Sequence, residues 1–339
     1  MNSRERIKKI ISGEKADRCG FWLGHPDGKT WEIFYKHFGT TSQEEIRQIL
    51  KCDFRWIAPW SAYKHPEKIA MFGHSIKKGA HKKVAHGDPG PLVDCEEISD
   101  LDEFEWPSTE HLDFTDVLEK LDNAGDYYRA SGLWTPFYHN MMDLLGMEEY
   151  MVKMITHPDL IKEITHRVCQ FYYDANKMLF EQAGTRIDGF FFGNDFGTQR
   201  DIICGPNQFD EHILPWFKKF TNLAHNNGYQ VILHSCGSIH KVIGRLIESG
   251  VDCLHPLQAK ASNMEAERLS KDFGGKISFL GGIDTQELLI HGTTEEIKGD
   301  VNRVIRELGP RLIVSPSHEA VLPDIPPENI VAMSEAATA

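Results

Sequence analysis

Two side chains able to bind a metal stand two residues apart at the end of an apolar run, Val231-Ile232-Leu233-His234-Ser235-Cys236-Gly237-Ser238. In an extended strand side chains alternate between faces, so His234 and Cys236 project from the same side. An imidazole nitrogen and a thiolate sulfur are both good zinc donors, and a strand fixes their separation better than a loop does. The competing reading is a core histidine and a buried free cysteine, both ordinary in protein interiors. A third donor has to come from another strand end. Ser315-Pro316-Ser317-His318 supplies the best candidate, with His255 and Asp284 as rivals. His234, Cys236 and His318 would leave a fourth position open, the arrangement of a catalytic zinc site. Such a site either generates hydroxide or holds an incoming thiol as its nucleophilic thiolate.

Positioning these residues is the work of a recurring alternation of short apolar runs with amphipathic segments. Strands are predicted at Cys19–Gly24, Phe54–Ala58, Gly132–Phe137, Gly189–Gly193, Val231–His234, Val251–His255, Ile277–Leu280 and Arg311–Ser315. The run Gly189-Phe190-Phe191-Phe192-Gly193 does not alternate, which fits a strand buried on both faces. Between strands five and six, Ile239, Val242, Ile243, Leu246 and Ile247 repeat at helical spacing and stop at Gly250. Thr41-Ser42-Gln43-Glu44 and Thr293-Thr294-Glu295-Glu296 have capping-box spacing and open helices, Asn263 reads as a helix N-cap, and Pro158 divides a long helical stretch in two. Eight such alternations without a Gly-x-Gly-x-x-Gly fingerprint predict an α/β chain folded as a (β/α)8 TIM barrel. The whole of 1–339 forms one domain, with an irregular insertion at about 59–130 between strands two and three. In such a barrel chemistry belongs to the C-terminal strand ends, here carrying His25, Asn194, Asp195, His234, Cys236, His255, Asp284 and His318.

Composition narrows the classes of function. A formal charge of −13 argues against a nucleic-acid face, and the basic clusters, near Lys8 and from Lys77 to Lys83, are short. No stretch reaches the roughly 18 apolar residues of a membrane helix, and no secretory signal opens the sequence. Seven scattered cysteines with no CxxC pair point to free thiols in a reducing cytoplasm.

Several motifs taken together resemble the uroporphyrinogen decarboxylase (URO-D) superfamily: His234-Ser235-Cys236-Gly237-Ser238, Asn194-Asp195-Phe196-Gly197-Thr198-Gln199, Gly281-Gly282-Ile283-Asp284-Thr285-Gln286, and Ser315-Pro316-Ser317-His318 with Pro326-Pro327-Glu328-Asn329. The resemblance implies a (β/α)8 barrel and two kinds of activity. One is cofactor-free decarboxylation of uroporphyrinogen III. The other is zinc-dependent methyl transfer between a corrinoid protein and a thiol such as coenzyme M. The decarboxylases carry an arginine-rich motif after strand one, whereas Cys19 to Ile46 contains no arginine. The methyltransferases bind zinc through a His-x-Cys matched by His234 and Cys236, and through a cysteine near strand eight where this chain has His318.

The reading that follows is a zinc-dependent methyltransferase with His234, Cys236 and His318 as metal ligands, and with Asp195 and His318 as catalytic residues. His25, Asn194, Gln199, His255 and Asp284 are the expected substrate-binding residues. A corrinoid protein would supply the methyl-corrinoid and a small thiol would be the acceptor; a homodimer fits the resemblance. The alternatives are a metal-free decarboxylase acting on a tetrapyrrole or other carboxylated substrate, and a non-catalytic protein that binds a corrinoid or tetrapyrrole.

Overall fold

A computed structural model describes residues 1–72 and 88–339, so the basic stretch Lys77 to Lys83 lies outside the described residues. Eight parallel strands form one sheet: β1 (Gly20–Phe21), β2 (Phe54–Trp56), β3 (Tyr128–Ser131), β4 (Gly189–Gly193), β5 (Gln230–His234), β6 (Cys253–His255), β7 (Ser278–Ile283) and β8 (Leu312–Pro316). Each strand from β2 to β8 pairs with its sequence neighbour and β8 pairs with β1, the order of the predicted barrel. In place of a ladder, Asp53 and its neighbour Cys52 join β1 to β2, the Cys52 sulfur accepting the Leu23 N–H at 3.4 Å. The Asp53 carboxylate accepts the Phe21 N–H at 3.0 Å, and the Asp53 N–H donates to the Phe21 carbonyl at 2.8 Å.

Helices surround the sheet and explain its apolar strands. On β4, Phe190 and Phe192 stack at 4.6 Å and meet Phe180 and Phe217 of the surrounding helices. Phe191, between them, points into the barrel against Trp22, Phe54 and Trp56. The third strand lies earlier than the predicted Gly132–Phe137. Gly132 has φ +119° and Thr135 has φ +55°, so the apolar run after β3 leaves the sheet and enters the helix Phe137–Leu145. Asn263 is not the predicted cap either; it sits at φ +62° and Glu265 is the N-cap of Ala266–Phe273. The capping box at Thr293 and the break at Pro158 appear as predicted, while the helix expected to open at Thr41 is capped one residue later, by Ser42, whose side chain accepts the Glu45 N–H. In the insertion, short 3-10 turns at Ile98–Glu103 and Thr109–His111 precede the helix Thr115–Asp122. It is tied to the barrel by buried Lys153, whose ammonium donates to the carbonyls of Val93 at 2.6 Å and Cys95 at 2.7 Å.

The two ends of the barrel differ in character. At the N-terminal end, helix α1 (Ser3–Ile11) closes the bottom; Asn2 and Glu5 form a capping box at its start. Two fully buried carboxylates anchor it. Asp53 receives Ser3, Arg6 and Arg18, while Asp188 receives Arg4, Lys8 and Arg129. At the opposite end, His25–Pro26 and Ala320–Val321 form a short parallel ladder that joins the loops after β1 and β8 over the mouth. No helix among the described residues is long and apolar enough to cross a membrane.

Candidate active site at the barrel mouth

His234 ends β5 in register with Gly193 on β4 and His255 on β6, so the two histidines share the barrel interior. Their Nδ1 atoms are 3.0 Å apart. Two residues on, the Cys236 N–H donates to Asp195 Oδ1 at 2.8 Å, which fixes the turn after β5 against the end of β4. The loops after β4 and β5 cross where only glycine fits: Gly237 has φ +81°, and a Cβ there would lie 2.5 Å from the Gly197 carbonyl. The outcome is a compact donor group. His234 Nε2 lies 3.2 Å from Cys236 Sγ and 3.2 Å from Asp195 Oδ1, and all three donors lie within 4.8 Å of one another.

A second group, His234, His255 and Glu319, meets the same spacing on the other side of the ring. His234 Nδ1 is 3.3 Å from Glu319 Oε2. The ladder between the β1 and β8 loops holds Glu319 in place, for its carbonyl accepts the His25 N–H. His318 belongs to neither group. Its side chain is 36% exposed, its Nδ1 is 3.4 Å from Glu319 Oε2, and that nitrogen accepts the Ala320 N–H at 3.1 Å.

Charge in the cluster is strongly coupled. Burial opposes a proton on His234, but Glu319, Cys236 and Asp195 outweigh it and raise the ring well above an ordinary histidine. Asp195 is held below the usual carboxylate range by its contacts with His234 and the Cys236 N–H, despite its own burial. Burial, then the charges of His234 and His318, push His255 far down and keep it neutral. Burial raises the Cys236 thiol against the pull of His234.

The first donor group suits a divalent metal. Ligands about 2.0–2.3 Å from one zinc ion in tetrahedral array sit roughly 3.3–3.8 Å apart, close to the spacing of His234 Nε2 with its two neighbours. His234 presents Nε2 to that group and Nδ1 to the second. With an ion in the first group, Glu319 would stand where a carboxylate orients a metal-binding histidine. Glu319 Oε2 and His255 Nε2 are buried without a hydrogen-bond partner, so this side of the mouth is not satisfied by protein groups alone.

The remaining expected residues fall in several places. Asn194 is buried; its side-chain oxygen accepts the Tyr138 N–H at 2.9 Å and its NH2 donates to the Thr135 carbonyl at 3.0 Å. Asp284 accepts the N–H groups of Gln286, Glu287 and Leu288, each at 3.1 Å, capping the helix Leu288–His291. Gln199 is exposed on the loop after β4, and exposed His25 sets its ring edge against Trp56. Residues that sequence reasoning passed over stand nearer the donors. Trp134 lies 5.1 Å from the His234 ring and 5.1 Å from Trp56, while Trp22 lies 5.2 Å from His255. These aromatic contacts form one wall beside the donors. His139 stands 3.6 Å from Asp195 Oδ2. Glu319 adjoins His318 in sequence, which was its one available signal.

A (β/α)8 barrel carrying a His-x-Cys and two carboxylates at its C-terminal mouth defines the class of an enzyme-like barrel with a metal-capable site. Residues 128–339 match the uroporphyrinogen decarboxylase (URO-D) family, and the chain belongs to that family. A methyltransferase from Methanosarcina mazei shares the fold, with a TM-score of 0.68 and 16% identity over 99% of this chain and 98% of that one. No curated protein matches in sequence.

Proposed function

We propose that this protein is a zinc-dependent methyltransferase that moves a methyl group between a corrinoid protein and a small-molecule thiol. The observation that carries the reading is His234 Nε2 set between Cys236 Sγ and Asp195 Oδ1, both at 3.2 Å. Membership of the URO-D family and the fold shared with a methyltransferase support it. His234, Cys236 and Asp195 would hold the metal, and bound zinc supplies the Lewis acidity that favours the thiolate form of an acceptor thiol. The Cys236 thiolate and the Asp195 carboxylate offset the positive charge of the site. Glu319 keeps the proton of His234 on Nδ1 and so leaves Nε2 as a donor. His318, at the exposed rim beside Glu319, is the proposed acceptor of the thiol proton. The donor would be a methyl-corrinoid carried by the partner protein, giving up its methyl group to the thiolate sulfur while the electron pair of the broken carbon–cobalt bond leaves with the corrinoid.

One observation favours a second reading, a metal-free decarboxylase-like enzyme. A protonated His234 between Asp195 and Glu319 offsets one of the two carboxylate charges and binds both without a metal. Metal content of untagged, reduced protein and thiol methylation from methylcobalamin separate the two. Near-stoichiometric zinc with a methylated thiol is expected. Zinc-free protein that decarboxylates a tetrapyrrole would replace the first reading with the second. Within the zinc reading, Glu319→Gln is expected to weaken zinc binding about 10–100-fold, measured by competition with a chromophoric chelator.

A further inference from the structure

On the far side of the Trp22 and Trp56 wall from the donors, a cavity of about 430 Å3 runs beside β2, bounded by the helix Gln43–Ile49, by Asn123, Ala124, Gly125 and Tyr127, and by Trp22, Gly24 and His25 at the mouth. This volume falls in the range of small-molecule pockets, about 300–1,000 Å3. Its charges are unbalanced. Arg47, Arg55 and Lys120 line it against one acid among the described residues, Glu44, and since Lys120 is paired with Asp116 at 2.7 Å the excess positive charge rests on the two arginines.

Arg55 engages both oxygens of that carboxylate, Nε at 2.9 Å and Nη2 at 2.7 Å, and stacks 3.7 Å over Tyr127. Gln48 donates to the same carboxylate at 3.3 Å. Arg47 is left without a close carboxylate. Its Nη1 is 3.9 Å from Glu44, its Nη2 makes a 3.3 Å bond to Gln43, and its guanidinium lies 5.1 Å over Trp31. Yet the Arg47 side chain is only 24% exposed. A partly buried guanidinium whose one side-chain hydrogen bond is the 3.3 Å contact to Gln43 keeps N–H donors free to grip an anion in bidentate fashion. A second donor stands in the same wall: Trp56 lines the cavity, and its indole N–H is buried with no partner.

We propose that this cavity is an anion site that takes the carboxylate or phosphate group of a small organic molecule. Arg47 is the main contact, the Trp56 indole N–H a second donor, and Arg55 a fixed source of positive potential. The absence of arginine between Cys19 and Ile46 therefore does not leave this edge without cationic residues, because Arg47 and Arg55 follow immediately and turn to one cavity. The proposal does not depend on metal or methyl transfer at the mouth.

The test is calorimetric titration of the full chain with inorganic phosphate, phenyl phosphate and benzoate, run on metal-loaded and on chelator-stripped protein. Saturable binding that persists after stripping is expected, weakened at least about tenfold by Arg47→Gln and to a lesser degree by Trp56→Phe. Arg47→Lys keeps the charge but loses the planar fork, so it should fall between the two and serves if the glutamine variant does not fold. Binding of the phosphates alone assigns a phosphorylated ligand, and binding of benzoate alone a carboxylate. Absence of saturable binding for all three probes, or unchanged affinity in folded Arg47 variants, overturns the proposal.

Discussion

Cys236→Ser is expected to leave a folded barrel that no longer retains zinc and no longer methylates a thiol. Serine preserves the shape of the side chain but its hydroxyl does not ionise near neutral pH, so the site loses both its soft donor and one negative charge. Removing an outer partner of a metal ligand already costs about 10–100-fold in affinity, and loss of the ligand itself should reach at least the upper end of that range. Folding should be little affected, because the thiol's hydrogen-bond contact is with His234 Nε2 at 3.2 Å, at the partly open mouth. Zinc analysis after dialysis, beside a thermal unfolding curve, checks both halves of the expectation. His318→Ala provides the contrast: its ring lies outside both close donor groups, so it should keep its zinc and lose turnover. If serine at 236 keeps the metal while Glu319→Gln loses it, the ion sits on the Nδ1 side of His234 instead.

The largest stability effect is expected at the other end of the barrel. Asp53 is fully buried and accepts from Ser3 at 2.7 Å, Arg6 at 2.7 Å, Arg18 at 2.8 Å and the Phe21 N–H at 3.0 Å. Asp53→Ala leaves Arg18 without its carboxylate, takes one of two from Arg6, which keeps Asp17 at 2.7 and 2.8 Å, and removes the side-chain contact that stands in for a ladder between β1 and β2. Breaking one side of a buried ion pair typically costs about 3–5 kcal/mol, because the remaining charge is left uncompensated. A urea denaturation curve whose midpoint falls, with the m-value times that shift matching the loss, is the expected result. An equivalent change in the exposed pair Asp116–Lys120 should barely move the midpoint. A shift at Asp53 no larger than at that exposed pair would mean that neighbouring ladders hold the seam closed without it.

The parts of this molecule legible from sequence are those set by short-range periodicity. Period-two alternation put His234 and Cys236 on one side, and the unbroken Phe190-Phe191-Phe192 run marked a strand buried on both faces. The third strand was misplaced because Leu133, Trp134 and Phe137 are as apolar as a strand, while the positive φ at Gly132 and Thr135 sends that run over the mouth. Glu319 was passed over for a different reason. Whether His318 or its neighbour faces His234 depends on the ladder joining Ala320 to His25, nearly 300 residues apart in the chain. Arg47 reads as an ordinary helix-surface residue until the structure places Arg55 against the carboxylate it would otherwise use.

The donors and the walls around them come from different stretches of the polypeptide. Asp195, His234, Cys236 and Glu319 all fall within the family-matched residues 128–339, whereas Trp22, Trp56, Arg47 and Arg55 all precede them. Trp134 is the exception in that wall, lying on the same segment as the donors. Substitutions before residue 128 can therefore reshape most of one wall and the cavity behind it while every donor side chain stays in place.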